Sequence, residues 1–372
     1  MRRQIVILIA TVLFISCMQM KKEKQIKVET NHNIETLIIC FEIADKGFWN
    51  IPFQDYQPMK YLARTRFEKY REHQVIHTIN SLVEKGFWLD AMVEVLLKSS
   101  PLPNAELKYE LEPSTLARLS DNDEEATQLI NEFIDSLNDF YLEADLPQYF
   151  LENKKYFESV NNEVRKNLPN KNFIVTMEQY YGKQNDTYTL IPTPTLWHTA
   201  GLGLRIKGEI GFQVYNIFGP LIVTKDSLEF GYGYNNSDRI YELTVHEFGH
   251  SFINPITELP ANREIIEKYK YLYQRIAEEM RKQAYTNWWA CVTEHIVRLG
   301  EIRIAKAFGD SSTADKIRND YTNNLNFIYL PFLEKKIESY ETNRNKYKTI
   351  DEYIPILLKS FSEVDTLNIR GI

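Results

Sequence analysis

Two histidines four residues apart, with a glutamate directly after the first, constrain this chain more than any other feature of its sequence. The pattern is His246-Glu247-Phe-Gly-His250. Residues four apart lie on one face of an α-helix, so both imidazoles can direct a nitrogen at a single Zn²⁺ ion. Glu247 would then lie beside the open position of the metal and accept a proton from a bound water. The pattern predicts a helix with a zinc site on one face.

The neighbours of these three residues favour a buried helix. Apart from Glu247, the residues between and around the histidines (positions 244–252) are uncharged, and Pro255 is expected to end the helix shortly afterwards. The alternative is that both histidines are ordinary surface or core residues, because a five-residue motif also arises by chance.

The composition excludes several other classes of protein. Of the 372 residues, 13% are aromatic and 44% are hydrophobic, which is enough apolar surface to exclude a disordered chain. Three cysteines exclude a disulfide framework, and none has the spacing of a cysteine metal site. A net charge of −7 provides no field for a polyanion, so no nucleic-acid partner is expected.

The N-terminus indicates export. Residues 1–16 combine a basic start with a short apolar run, which is typical of a signal peptide and too short to span a bilayer. The small residue before Cys17 resembles the bacterial lipobox, which implies cleavage there and lipidation of Cys17. The resemblance implies a cell-envelope protein, lipid-anchored to the outer membrane and facing the periplasm or the cell surface. The polar, lysine-rich residues 17–33 are interpreted as a tether.

The rest of the chain predicts an α+β fold that is predominantly helical, with a small mixed sheet. Residues 34–170 form a largely helical N-terminal region, although the apolar run Ile34–Ala44 fits a strand or a short buried helix. Three segments rich in β-branched and aromatic residues predict strands: 172–182, 186–194 and 208–220. Helical patterns return from Ile240.

The residues around the histidine motif resemble the zincin metallopeptidases. This resemblance assigns residues 171–372 to a zincin-like metallohydrolase region, with a helical subdomain after the motif. It also implies a sheet whose edge strand lies above the metal helix and pairs with an extended peptide substrate. We expect the segment Gly211–Gly219 to be this strand, with Asn216 and Phe218 contacting the substrate, although an internal strand is an equally good interpretation.

The third metal ligand distinguishes the zincin branches. Ile256 stands where a metzincin has its third histidine. A glutamate from a second helix is the gluzincin solution, and Glu294 in a predicted helix is the preferred candidate. His295 is the alternative, since neighbouring helical residues point about 100° apart and only one can face the ion. Gluzincins often carry an acid four residues after this glutamate, but here the residue is Arg298.

A peptidase of this type also needs a donor to the oxyanion that forms when water attacks a carbonyl group. The candidates are His295, Tyr321 and Tyr329, and we select Tyr329 although each tyrosine is individually more typical of packing.

The sequence therefore predicts an exported, lipid-anchored, zinc-dependent hydrolase that acts on peptides or proteins. It also resembles a group of uncharacterised Bacteroidetes lipoproteins along its length. The alternatives are a non-catalytic binding or scaffold lipoprotein with a structural or vestigial zinc site, and a hydrolase of a non-peptide amide.

Overall fold

A computed structural model describes residues 24–44, 57–169, 172–198, 200–208, 211–222 and 231–366. Its centre is a four-stranded sheet of order β1-β2-β4-β3. The strands are β1 (Ile26–Val28), β2 (Thr187–Pro192), β3 (Gly201–Gly208) and β4 (Gly211–Phe218). β1, β2 and β4 are parallel, and β3 pairs antiparallel with β4. The structure confirms a predominantly helical α+β fold with a small mixed sheet.

Helices surround this sheet on both faces. Those before β2 are α1 (His32–Ile43), α2 (Pro58–Phe67), α3 (Gln74–Glu84), α4 (Leu89–Leu97), α5 (Pro113–Leu116), α6 (Asp123–Glu143), α7 (Leu146–Glu152), α8 (Lys154–Lys166) and α9 (Phe173–Tyr181). Those after β4 are α10 (Ser237–Thr257), α11 (Pro260–Lys268), α12 (Ala277–Lys282), α13 (Trp288–Ala307), α14 (Ser311–Asn319), α15 (Leu330–Thr342) and α16 (Ile350–Lys359).

The sheet separates two hydrophobic cores. Successive side chains of a strand point to opposite faces, so Val214 and Phe218 of β4 join the core of the C-terminal helices, whereas Ile217 joins the core built by α1 to α7. Helix α8 contributes to both cores, since Phe157 lies in one and Val160 in the other. Both halves of the chain therefore contact the same sheet.

Two expectations for the N-terminal half are settled by local hydrogen bonding. The apolar run Ile34–Ala44 lies mostly in helix α1, whose first turn is capped where Asn31 Oδ1 accepts a hydrogen bond from the Ile34 amide at 3.1 Å. The predicted strand at 172–182 is wrong, because this segment is helix α9. Gly182, with φ of 70°, ends that helix in the left-handed region. The β-branched and aromatic residues of this segment resemble a strand in composition alone.

The predicted tether at 17–33 is wrong in its second half. Residues 26–28 form β1, in which Val28 pairs with Leu190 of β2. A three-residue strand is too short to show an alternating pattern in the sequence. β1 is identified by its pairing with β2. Residues 1–23, including the predicted signal peptide and Cys17, lie outside the described residues.

The carboxyl group of Glu35 provides a test of the N-terminal core. Glu35 is 1% exposed and accepts a hydrogen bond from the hydroxyl of Thr195. Burial raises the pKa of Glu35 from 4.5 to about 7, against the opposing effect of its hydrogen bonds to Thr195. The folded chain therefore binds this proton more tightly than the unfolded chain. The stability that the protonated carboxyl contributes is fully present below pH 4.5 and is lost as the pH rises through 7.

Glu35→Gln keeps the shape and removes this titration. Relative to wild type, the variant is expected to gain up to about 3 kcal/mol in free energy of unfolding between pH 4.5 and pH 8. Urea unfolding at both pH values measures the difference. The exposed Glu132→Gln is the control, and a Glu35→Gln profile parallel to that of wild type would contradict the expectation.

Candidate metal centre

Helix α10 presents the histidine motif from a well-anchored position. Asn236 caps its first turn, with its side-chain oxygen accepting from the Arg239 amide at 3.0 Å. Its buried face includes Val245 and Phe248, and the histidines lie on another face. The prediction that Pro255 ends the helix is wrong, because α10 continues to Thr257 with the proline in its last turns.

Helix α13 packs against α10 and brings Glu294 to the two histidines. Small residues allow this approach, since a Cβ atom added to Gly249 of α10 would lie 3.2 Å from the Cγ1 atom of Val297 on α13. The cap of α13 is Asn287, which accepts a hydrogen bond from the Ala290 amide at 2.9 Å. The site is therefore built at the contact between two capped helices.

The distances within the cluster suit a tetrahedral ion. The two Nε2 atoms of His246 and His250 are 3.2 Å apart. The Glu294 carboxylate lies 3.3 Å from His250 Nε2 and 3.6 Å from His246 Nε2. Ligands about 2.1 Å from a tetrahedral zinc ion are separated by about 3.3 Å, so the three side chains fit such an ion without rearrangement.

The second nitrogen of each histidine is held by an oxygen acceptor. His246 Nδ1 donates to Glu301 Oε1 at 2.8 Å, and His250 Nδ1 donates to Asn254 Oδ1 at 2.9 Å. These bonds place the proton on Nδ1 and leave the Nε2 lone pairs directed into the cluster. Two lone pairs and a carboxylate facing each other repel unless a proton or a metal ion lies between them.

The pKa values of His250 and Glu294 reflect the charges within the cluster. Burial by itself lowers the pKa of His250, but the hydrogen bonds that its ring donates to Glu294 and Asn254 and the charges of Glu294 and Glu247 raise it to about 9. Burial raises the pKa of Glu294, yet the charges of His246, His250 and Arg298 and a hydrogen bond from His250 hold it well below its usual range. Glu294 is therefore ionised, as a ligand must be.

Glu301 is a residue that the sequence interpretation did not place at the site. It lies seven residues after Glu294, and its second oxygen accepts from the Tyr321 hydroxyl at 2.5 Å. Position 298, where gluzincins often have an acid, cannot supply this contact as arginine. Two helical turns bring residue 301 to the same face as residue 294, which is the signal that could have identified it.

Glu301→Gln tests this contact. The variant keeps a hydrogen bond to His246 but removes the negative charge beside the imidazole. We expect zinc affinity to fall by roughly 10–100-fold. Competition with a fluorescent chelator measures it, and Glu242→Gln serves as a charge-matched control in the same cleft. Equal affinities for the two variants would show that Glu301 does not support the ligand.

The general-base candidate Glu247 lies beneath the edge of the sheet. Its carboxylate is 7% exposed and contacts Gly201 and Gly203 of β3. A Cβ atom on Gly201 would lie 2.5 Å from Glu247 Oε1, so only glycine fits there without displacing the carboxylate. Helix α10 is therefore in close contact with the two glycines of strand β3.

Strand β3 is therefore the edge strand next to α10, and the prediction of Gly211–Gly219 for this role is wrong. β4 pairs with β2 on one side and with β3 on the other, so its backbone offers no free edge. Asn216 and Phe218, the predicted substrate contacts, are 0% and 1% exposed within β4. Three glycines in β3 lower its strand propensity, which explains why its sequence did not indicate a strand.

Gly203→Ala tests the close approach. The added methyl group would overlap the Glu247 backbone oxygen, which cannot move without displacing α10. We expect a loss of about 1–3 kcal/mol in the free energy of unfolding. Gly208→Ala on the same strand is the control, because its methyl group would meet only the flexible Gln213 side chain. Thermal unfolding compares the two, and equal stabilities would contradict the packing argument.

Two predicted candidates lie away from the cluster. The ring of His295 is fully buried against Phe327, and its Nδ1 donates to the Cys291 carbonyl at 2.6 Å. Burial lowers the pKa of His295 to about 4, so this ring is neutral. Tyr329 is also fully buried, and its hydroxyl donates to the Leu272 carbonyl at 2.9 Å. The structure thus does not bring Tyr329 to the reaction site as the oxyanion donor.

A cleft of about 1120 Å³ opens onto the cluster. His246 and Glu247 line it from α10, Arg298 and Glu301 line it from α13, and Gly201 borders it from β3. The open side of the cluster therefore faces solvent beside the candidate base. A molecule in this cleft can therefore contact His246 and Glu247 at the same time.

Among the described residues, no helix is both long and apolar enough to cross a bilayer.

No curated protein and no solved structure matches this chain. One family model does match, and the match covers residues 26–360, from the start of β1 to the residue after α16. The chain therefore belongs to the family described as Domain of unknown function (DUF4932).

Proposed function

We propose that this protein is a zinc-dependent hydrolase and that it acts as a peptidase. The observation that carries the proposal is the cluster of His246, His250 and Glu294, with ligand atoms within 4.8 Å of one another, beside Glu247 at an open cleft. Two histidines and a glutamate leave one position of a zinc ion open, as catalytic rather than structural sites do. The zincin resemblance of the histidine motif supports the same conclusion.

The side chains divide the chemistry between them. Bound zinc would supply a Lewis acid that makes a water more acidic and polarises a carbonyl group. Glu247 would accept the proton of the attacking water and later deliver it to the leaving amine. Its contacts with Gly201 and Gly203 hold the carboxylate in one position, and its burial keeps competing water away.

An extended peptide suits the edge strand. Within the described sheet, β3 pairs with β4 only, so its outer backbone groups are available for a further strand. A substrate added there by β-augmentation would lie above α10 and pass Glu247. This is why we favour a peptide or protein substrate over a smaller amide.

The proposal includes the cellular setting. We propose that residues 1–16 are removed, that Cys17 is lipidated and that the enzyme is anchored to the outer membrane, facing the periplasm or the surface. Radiolabelled palmitate should be incorporated into the wild-type chain and not into Cys17→Ser. Equal labelling of both chains would contradict the lipid anchor.

Metal content and turnover together test the function. The purified protein is expected to hold one zinc ion per chain and to cleave an unstructured protein such as casein, with cleavage abolished by a chelator and restored by zinc. Zinc without cleavage of casein or a peptide library would favour a non-catalytic scaffold. Absence of zinc would contradict both interpretations.

A further inference from the structure

Arg298 occupies the position on α13, one turn after Glu294, where the zincin resemblance leads one to expect an acid. Its guanidinium group lines the same cleft as Glu247. Arg298 Nη2 lies 3.1 Å from the Tyr285 hydroxyl and 3.6 Å from Glu294 Oε2. A fixed positive charge at this point competes with a metal ion for the same carboxylate.

The position of Arg298 relative to the ion follows from these distances. Zinc binds carboxylate oxygens at about 2.1 Å, so a zinc ion on Glu294 Oε2 would lie within about 6 Å of Arg298 Nη2. A substrate carbonyl oxygen bound about 2.1 Å from such an ion, on the side that faces Arg298, would lie at most about 4 Å from this Nη2 atom. Arg298 and Glu247 both border the same cleft.

The guanidinium group is held rigidly. It lies 4.6 Å from the ring centre of Tyr321 and 4.5 Å from that of Phe327, and its side chain is 12% exposed. Its Nε atom is buried and has no hydrogen-bond partner among the described residues. A buried charged group with an unused donor is costly unless a ligand completes its hydrogen bonds.

We propose that Arg298 donates hydrogen bonds to the substrate carbonyl oxygen and stabilises the oxyanion that forms on it. This inference rests on the proposed function and assigns to Arg298 the role predicted for Tyr329. Water adds to the carbonyl carbon, Glu247 takes one proton, and the carbonyl electron pair moves to the oxygen. Arg298 keeps its own protons throughout. The oxyanion then re-forms the carbonyl bond, the C–N bond breaks, and Glu247 returns the proton to the amine.

Arg298→Met removes the charge at similar side-chain volume. In this variant, kcat is expected to fall by roughly 10²–10³-fold, with KM within threefold of wild type and one zinc ion still bound. Arg298→Lys should recover part of kcat, and it decides the matter if Arg298→Met fails to fold. Lys316→Met, which removes a positive charge that is 70% exposed at the outer part of the cleft, is the control and should behave as wild type.

A binding measurement separates this proposal from turnover. Inorganic phosphate carries the tetrahedral oxygens and negative charge of an oxyanion. Its binding to the Co²⁺-substituted protein, followed by the visible absorption of cobalt, should weaken at least tenfold in Arg298→Met and not in Lys316→Met. If the wild type binds metal but does not hydrolyse peptides, the peptidase proposal fails and phosphate binding still decides the role of Arg298.

Three results would overturn the proposal. Loss of zinc in Arg298→Met would make Arg298 a positioning residue for Glu294. A rise in KM at constant kcat would show that it binds a remote substrate group. Unchanged phosphate affinity, or absence of metal from the wild type, would remove the role altogether.

Discussion

Glu247→Gln is expected to retain a full equivalent of zinc and to lose hydrolysis by roughly 10²–10⁴-fold. Glutamine has the size of glutamate, so the contacts with Gly201 and Gly203 of β3 persist. It cannot accept the proton of the attacking water, however. Zinc content by atomic absorption and kcat on the same preparation separate these two effects.

The control for this prediction is Glu242→Gln, which neutralises another carboxylate on α10 that lines the cleft. Its kcat should stay within threefold of wild type if the position of Glu247, rather than the negative charge of the cleft, matters. Hydrolysis by Glu247→Gln at the wild-type rate would require a different base. Loss of zinc in this variant would instead show that residue 247 supports the metal.

Glu294→Ala is expected to weaken zinc binding by well over a hundredfold. It removes one of three ligands, and even the loss of a partner that only supports a ligand costs roughly 10–100-fold. It also leaves the buried Arg298 and the Tyr285 hydroxyl without the carboxylate that they contact. Chelator competition measures the affinity, and thermal unfolding reports any accompanying loss of stability.

His295→Ala is the matched comparison on the same helix. Its ring contacts Phe327 and Tyr329 and its Nδ1 bonds a backbone carbonyl, so its removal should lower stability and leave zinc affinity near that of wild type. The reverse pattern, with zinc retained in Glu294→Ala and lost in His295→Ala, would make His295 the third ligand.

Helix α10 shows what the local sequence pattern can predict by itself. His246, Glu247 and His250 are related by helical spacing, so their arrangement follows as soon as the segment is helical. Helical spacing alone does not distinguish Glu294 from His295 as the third candidate ligand. Only one of these two neighbouring side chains can point toward the histidines, and the rotation of α13 against α10 directs Glu294 toward them.

The residue that supports His246 is harder to predict from the sequence. The residue that holds His246 is Glu301, two turns after Glu294 rather than one. The distance between two packed helices determines which turn comes within hydrogen-bond reach. That distance depends on the small residues at their contact, including Gly249.

The sequence pattern predicts the wrong segment as the edge strand for a similar reason. Strand composition selects segments rich in β-branched and aromatic residues, and β4 is such a segment because both of its faces are buried. The strand that borders the site, β3, has glycine at positions 201 and 203 because the metal helix lies against it. Close packing thus removed the very side chains that would have marked β3 as a strand.

The sequence by itself determined the helical motif, the histidine pair with its adjacent glutamate and a mainly helical chain around a small sheet, because each depends on the spacing of neighbouring residues. Only the tertiary structure decided the order of the strands, the partner of each histidine and the place of Arg298 beside Glu294 at the cleft. These depend on contacts between residues far apart in the chain, whose geometry is determined by the packing of whole helices and strands.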